Sequence, residues 1–425
     1  MKAQRPYPVA SITPKAEHAI EKGHPWVYEA EVTSLEPAPG AASVPNGSLV
    51  DVVSRKGSYL GTGLLSESSK IRIRLVTRNA NDRFDRAFWR RKVQWAWDYR
   101  KTVMGSDVEC CRVIFSEADG FPGLIVDRFS DVLVAETLSV GMERLKAVIF
   151  PLLLEVLADD GVAIRGIYER NDVSTRKLEG LEETCGWFDE QAERPLNPTA
   201  ADAAARFGAP RTEICENGVR YEVDFENGQK TGFFLDQKYN RRAVAKLARG
   251  RRVLDCFTHT GSFALNAARG GAEFVRAVDI SQLAVDQARS NARMNGLDGK
   301  MEFTTANVFD LLVELEGKRD ERYDFIVLDP PAFTKSRKTI DSAARGYKEI
   351  NYRAMKLLPR GGYLATCSCS HFMDTERFKR VVSYAAHDAG VQLRQIEERQ
   401  QAPDHPILWG VPETDYLKFF LFQVV

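Results

Sequence analysis

A chain of 425 residues with 44% apolar residues exceeds the length at which a single core keeps growing, so roughly two or three domains are expected. Its 59 Lys+Arg and 59 Asp+Glu cancel, which excludes a globally basic nucleic-acid binder. No apolar run is long enough to span a membrane, the N-terminus lacks an apolar secretory core, and the seven cysteines form no Cys-x-x-Cys pair, so a reduced cytoplasmic setting is expected.

Residues 1–78 read as a small β-rich module. The β-prone runs Leu49–Val53, Tyr59–Leu64 and Ile71–Val76 are separated by Gly and Ser turns. Between Lys70 and Lys101 the chain carries eleven Lys/Arg and three Asp. Two readings stand: a solvated helix face, or a patch that meets phosphates. Residues 82–104 have helical spacing, with Phe88, Trp95 and Tyr99 on one stripe that is expected to be core. Residues 79–188 read as an α+β domain. It has a turn at Gly120–Gly123, strands at Leu124–Asp127, Val132–Thr137 and Ile164–Glu169, and a helix at Met142–Leu157. Residues 189–211, rich in Ala and Pro, read as a linker or surface excursion. Thr212–Glu216 and Val219–Phe225 flank Asn217-Gly218 and predict a hairpin, which opens a last domain over 212–425.

From Arg251 strand and helix patterns alternate. Strands are predicted at Arg252–Phe257, Phe274–Ile280, Met301–Thr305, Asp324–Leu328, Gly362–Cys367 and the closing Tyr416–Val425. Helices are predicted at Ser262–Arg269, Ser281–Met294, Phe309–Leu315 and within 341–357. This is an α/β pattern with a parallel sheet.

The first turn reads Asp255-Cys-Phe-Thr-His-Thr-Gly261. Gly261 lets a ligand approach the backbone, and the helix behind it offers free N–H groups. The three-glycine dinucleotide pattern is absent. The carboxylate of Asp255 would repel a pyrophosphate but attract a cationic, amine-bearing ligand, which favours S-adenosylmethionine over a nicotinamide cofactor. Asp279, 24 residues on, can bind ribose hydroxyls, and Asn307 can meet the adenine edge, with Val308 or Phe309 over the ring.

Phe325-Ile-Val-Leu-Asp-Pro-Pro-Ala-Phe-Thr-Lys335 is the most informative stretch. Two prolines cannot continue a ladder, so the chain leaves the sheet rigidly beside Asp329. An acid and an aromatic there, Asp329 and Phe333, suit a nucleobase. Lys335 could bind phosphate or act on a thiol. Cys367-Ser-Cys369-Ser-His371 ends another apolar strand. Residues two apart point the same way on an extended chain, so both thiols are expected to face the cleft. A thiolate can add to carbon 6 of cytosine and make carbon 5 nucleophilic; methylation of a ring nitrogen needs no such cysteine. The plainer reading is a pair of inert buried cysteines. The spacing is too tight for an ordinary zinc knuckle, and no metal site is expected.

Gly23-His-Pro-Trp-Val-Tyr28, Gly61-Thr-Gly63, Thr231-Gly-Phe-Phe-Leu-Asp-Gln-Lys-Tyr-Asn-Arg241, Leu254–Gly261, Val278-Asp-Ile-Ser281, Leu328–Phe333 and Ser368-Cys-Ser370 occur in this order along nearly the whole chain. In this set the chain resembles the class I S-adenosylmethionine-dependent 23S ribosomal RNA (cytosine-5) methyltransferases. The resemblance implies an N-terminal PUA domain, an α+β central domain and a C-terminal Rossmann-like domain. It implies Cys369 as nucleophile and cofactor contacts at Asp255, Phe257, Asp279 and Asn307, with the Phe233–Gln237 stretch, and so Asp236 and Gln237, over the pocket; Gly261 and Asp329 join these from the reading of the residues themselves. It further implies a 23S-type ribosomal RNA partner; the oligomeric state stays open, a homodimer among the options. Two-cysteine relatives carry a Cys after Asp-Pro-Pro; here that position is Ala332, which implies a single-cysteine route and leaves the base for the carbon 5 proton open. Guanine N-methylation on the same fold, and a non-catalytic RNA-binding assembly factor, are the alternatives.

Overall fold

The computed structural model describes residues 5–189, 194–195, 201–318, 321–334 and 336–425. The chain divides into two compact units. One comprises residues 1–214, 223–235 and 403–414; the other comprises residues 215–222, 236–402 and 415–425. Among the described residues no helix is long and apolar enough to cross a membrane.

The first unit holds two six-stranded sheets. In one, the hairpin strands Leu49–Val53, Tyr59–Leu65 and Ile71–Thr77 pair antiparallel, and Val9–Ile12 adds to Leu49–Val53 in parallel. A side chain at Gly63 would strike the Arg74 carbonyl at 2.5 Å, so the Gly-Thr-Gly segment is what lets these strands close on each other. The other sheet runs from Cys110–Phe115 to Arg194–Pro195 and packs with the helices Arg86–Met104 and Val140–Asp159.

The helix Arg86–Met104 departs from its expected core stripe. Phe88 is buried, but Trp95 is 61% exposed and Tyr99 37%. The buried face is Trp89, Val93, Ala96, Trp97, Arg100 and Met104. An apolar count skips this face because of Arg100. That guanidinium is fully buried and satisfied by both Asp119 oxygens (2.5 and 2.8 Å) and by the Arg112 and Asp404 carbonyls. The exposed cations of the helix are also matched: Arg86 meets Glu155, Arg90 meets Asp159 and Lys101 meets Asp160. The matching acids lie some 60 residues downstream, outside the window in which the positive run was counted. This arrangement fits the solvated, ion-paired face of the two readings.

The hairpin Arg211–Glu216 and Val219–Asp224 turns at Asn217-Gly218, both with positive φ. Of the predicted linker at 189–211, residues 190–193 and 196–200 lie outside the described residues; within the rest the helix Ala201–Phe207 forms.

The second unit is built on a seven-stranded sheet. Its strands are β1 (Arg252–Cys256), β2 (Phe274–Asp279), β3 (Met301–Thr305), β4 (Phe325–Leu328), β5 (Tyr363–Ser368), β6 (Leu393–Arg399) and β7 (Lys418–Val424). Their order is β3-β2-β1-β4-β5-β7-β6. β1 to β5 are parallel, and β7 is antiparallel to both neighbours. The helices are α1 (Lys238–Leu247), α2 (Ser262–Arg269), α3 (Gln282–Met294), α4 (Val308–Glu316), α5 (Ile340–Leu357) and α6 (Thr375–Ala389).

Strand alternation sorts the core into two faces. Leu254, Cys256, Ile326, Leu328, Leu364, Phe420 and Phe422 pack with α4, α5 and α6. Val253, Phe325, Val327, Ala365, Cys367, Phe419 and Leu421 pack with α1 and α2. All four side chains of β4 are fully buried, which is why it reads as one apolar run; each contributes about 1.5–3 kcal/mol. The strand order reverses between β1 and β4, so a crevice forms at their carboxyl ends.

Candidate active site

The register fixes what meets in that crevice. Cys256 pairs with Val278 and Leu328, Leu328 pairs with Thr366, and Asp279 pairs with Thr305. Asp279 and Asp329 therefore follow directly on one aligned row at the carboxyl edge, with Asn307 and Cys369 just beyond it.

The turn after β1 is strained in a way that only its surroundings can hold. Phe257 and His259 have φ of 64° and 50°, and Gly261 has φ of 84°. A Cβ at Gly261 would sit 3.0 Å from the Ala288 methyl, so glycine is required by both backbone and space. Thr258 N donates to Val278 O, and His259 N donates to the Asp279 carboxylate at 2.9 Å. Asp255 is fully buried. One of its oxygens accepts from Thr258 Oγ1 (2.5 Å) and Ala264 N (2.9 Å), while the other has no protein partner. Burial pushes its carboxyl up to about 7 against those two hydrogen bonds. Burial also pushes the His259 imidazole down to about 4.

Asp279 accepts a second backbone hydrogen bond from Ser281 N at 3.0 Å, so both of its oxygens are tied to the backbone. Ile280, next to it, is 72% exposed. Asn307 caps α4 by accepting from Phe309 N at 2.9 Å, which leaves its NH₂ free to donate. Val308 is buried in the core and cannot cover a ligand ring; Phe309 is half-buried and can.

Asp236 accepts from Tyr416 Oη at 2.6 Å with one oxygen, and its other oxygen is buried without a protein partner. Gln237 is buried and donates to Asp329 at 2.9 Å, while its own oxygen accepts from Asn240 at 2.6 Å. The unpartnered oxygens of Asp236 and Asp255 are hydrogen-bond acceptors left without a donor, a set that fits a cationic, amine-bearing ligand.

Asp329 keeps some exposure as a residue, yet its carboxyl is densely surrounded. Burial first, and the nearby Asp236 second, push it up to about 7; Arg241, Cys367 and Gln237 oppose this. Phe333 is held among Tyr347 (ring centroids 4.6 Å apart), Phe309 (5.9 Å) and Phe257 (6.5 Å), partly open on its remaining side. Lys335 lies outside the described residues.

The two thiols do not share a fate. Cys367 is the penultimate residue of β5, fully buried in the core face against α1 and α2, and burial and Asp329 raise its thiol well above the usual range. Cys367 is buried beneath the crevice residues Asp329 and Gln237, with which its thiol interacts, while the strand ends at Ser368 and only Cys369 lies beyond it. Cys369 lies past that end, partly exposed, with its Sγ 4.0 Å from the Pro330 carbonyl. The Asp-Pro-Pro and Ser-Cys-Ser segments thus face each other.

Sequence reading missed what fixes Cys369. Ser368 and Ser370 are both buried, and both bond to the Tyr347 hydroxyl of α5, at 3.1 and 3.0 Å. Tyr347→Phe is expected to leave two buried hydroxyls poorly satisfied and to cost about 1–3 kcal/mol in urea unfolding. An unchanged midpoint would show the clamp to be idle. Nothing in the sequence marks Tyr347, which looks like any apolar helix residue.

Carboxylates on successive strand ends, the strained β1–α2 turn and the β3-β2-β1-β4-β5-β7-β6 order define a Rossmann-like methyltransferase. The chain belongs to the S-adenosylmethionine-dependent methyltransferase family: residues 177–421 match that family's model, and residues 11–78 match a PUA-like domain. Its methyl donor is S-adenosylmethionine. The chain is 37% identical to the ribosomal RNA large subunit methyltransferase I of Klebsiella pneumoniae (strain 342) over 421 residues, 99% of each chain. It is 38% identical to the protein of that name from Shigella dysenteriae serotype 1, covering 96% of this chain and 97% of the relative. A solved putative methyltransferase from Streptococcus mutans shares the fold, with a TM-score of 0.76 at 21% identity, covering 98% of this chain and all of the other.

Proposed function

We propose that this enzyme methylates carbon 5 of a cytosine in large-subunit ribosomal RNA through a transient bond to Cys369. The observation that carries this reading is the placement of Cys369, partly exposed at the end of β5 and facing the Asp-Pro-Pro turn across the crevice from Asp255 and Asp279. The names of the relatives, matched over nearly the full chain, support ribosomal RNA as the substrate.

S-adenosylmethionine supplies an electrophilic methyl group on a sulfonium. In this reading Asp255 and Asp236 hold its cationic end and Asp279 its ribose. Gly261 and Phe257 shape the turn beside it, Gln237 orients Asp329 under it, and Asn307 meets its adenine edge. A cytosine leaves its stack, at a cost of a few kcal/mol, and lies against Phe333. Lys335 is assigned a phosphate of the same RNA. The Cys369 thiolate adds to carbon 6 as protonated Asp329 gives its proton to the ring nitrogen. Carbon 5 then takes the methyl group; water accepts the carbon 5 proton as the carbon 5–carbon 6 double bond re-forms and the sulfur leaves as thiolate, and the ring nitrogen returns its proton to Asp329. Holding the reacting atoms near contact supplies much of the acceleration.

Methyl transfer from labelled donor to large-subunit ribosomal RNA, read by nucleoside mass spectrometry, is expected to give 5-methylcytidine. A methylguanosine product would overturn the assignment in favour of N-methylation.

A pH dependence follows for donor binding. The raised Asp255 carboxyl binds a proton in the folded, ligand-free protein up to about pH 7, so its stabilising contribution is full below the usual carboxylate range and fades as pH rises through 7. A cationic ligand prefers the carboxylate. Calorimetric affinity for S-adenosylmethionine is therefore expected to rise from about pH 6 to about pH 8, by up to tenfold per unit. Asp255→Asn should bind more weakly and lose most of that slope; a slope equal to wild type would remove Asp255 from the site.

A further inference from the structure

Lys418 is out of character for its strand. β7 lies between β5 and β6, and most of its other residues bury apolar side chains. A lysine only 4% exposed inside a sheet costs free energy unless its charge is held. Its Nζ donates to the Ser370 carbonyl and to the Tyr416 carbonyl, each at 2.8 Å. The strand register sets Lys418 opposite Ser368, the residue before Cys369, while the gripped carbonyl belongs to the residue after it. Both acceptors are neutral, so neither cancels the positive charge.

The groups around this pair come from several elements. Cys369 interacts electrostatically with Lys418, as do Asp415 just before β7 and Asp374 at the cap of α6. Tyr347 of α5 and Cys367 of β5 also interact electrostatically with the thiol. The Pro330 carbonyl favours the protonated thiol, because it can only accept. A cation beside the sulfur offsets that bias.

We propose that Lys418 is the positioning residue that readies Cys369: its ammonium pins the Ser370 carbonyl and supplies the nearby positive charge that favours thiolate over thiol. On ionisation the S–H bond breaks, the electron pair stays on sulfur, the proton passes to solvent, and Lys418 keeps its own protons. Burial pushes the ammonium down to about 8, so the charge is present at neutral pH and fades as pH rises above that value. The inference rests on the reading of Cys369 as nucleophile.

The test is the rate of iodoacetamide alkylation at Cys369 in the full-length protein, followed by peptide mass spectrometry across pH, with exposed Cys215 as internal reference. In wild type the Cys369 midpoint is expected below that of Cys215. Lys418→Met is expected to raise the Cys369 midpoint by about one unit, slow its alkylation about tenfold at neutral pH and leave Cys215 unchanged. Lys418→Arg should restore most of the effect. A wild-type Cys369 midpoint no lower than that of Cys215, or an unmoved midpoint in folded Lys418→Met, overturns the role of Lys418. Retained methyl transfer by Cys369→Ala overturns the nucleophile reading instead, and leaves the alkylation result standing as electrostatics alone.

Discussion

Cys369→Ala is expected to lower methyl transfer by at least about 1,000-fold while leaving S-adenosylmethionine binding and unfolding midpoint near wild type. The side chain is small and partly exposed beyond the end of β5, so its loss opens little space in the core. The donor-side carboxylates, Asp255 and Asp279, make their hydrogen bonds to Thr258, Ala264, His259 and Ser281 and do not depend on it. Cys367→Ala should behave in the opposite way. It removes a fully buried thiol from the packed face and should cost about 1 kcal/mol or more of stability with a modest change in turnover. Single-turnover transfer with both variants separates the two thiols. A Cys369→Ala enzyme within tenfold of wild type would exclude covalent catalysis by this residue.

Asp329→Asn is expected to lower kcat by about 100-fold or more, with donor affinity little changed. Asparagine keeps the shape and an oxygen to accept from Gln237, so the loop should hold its form. What it loses is the proton. With the carboxyl raised to about 7, wild-type Asp329 is protonated below that pH and can give a proton to the ring nitrogen as sulfur attacks. The wild-type rate should therefore carry a descending limb above about pH 7, and the Asn variant should lack it. Because Asp255 is raised to about 7 as well and interacts with Asp329, the limb belongs to a coupled pair, and the variant rather than the wild-type curve makes the assignment. Retention of both rate and limb in Asp329→Asn would remove it from the chemistry.

The alternating half of the fold was legible where its strands are buried on both faces. β1, β4 and β5 are almost wholly buried and lie within a residue of the predicted runs Arg252–Phe257, Asp324–Leu328 and Gly362–Cys367. Other elements were hidden by their polarity. α1 buries Lys238, Asn240 and Arg241, with Arg241 paired to Glu216 at 2.6 Å, so no apolar stripe announces it. β6 is an edge strand with five charged or amide residues among seven, and it owes its existence to pairing with β7. Trp95 and Trp97 are two apart on one helix, and only tertiary packing decides which is buried.

In the candidate site, Asp255, Asp279, Asn307, Asp329 and Cys369 were legible because each lies at or just beyond the carboxyl end of a parallel strand, where the fold itself gathers them. The residues that hold them were not. Tyr347 sits in mid-helix, where its ring packs on Phe333 and its hydroxyl holds Ser368 and Ser370. Lys418 did leave a trace: a lysine inside the apolar run Tyr416–Val425 conflicts with a buried strand unless it has a task.

The central claim is a bond between one sulfur and a pyrimidine. RNA bearing 5-fluorocytosine at the methylated position tests it directly, because carbon 5 then holds fluorine where a departing proton is needed, and the adduct cannot resolve. Incubation with enzyme and S-adenosylmethionine, followed by protease digestion and mass spectrometry, is expected to yield the methylated nucleotide attached to the peptide that contains Cys369, and to that sulfur within it. Full methyl transfer to unmodified RNA with no trapped species, or a trapped species on Cys367 or any other residue, would contradict the account.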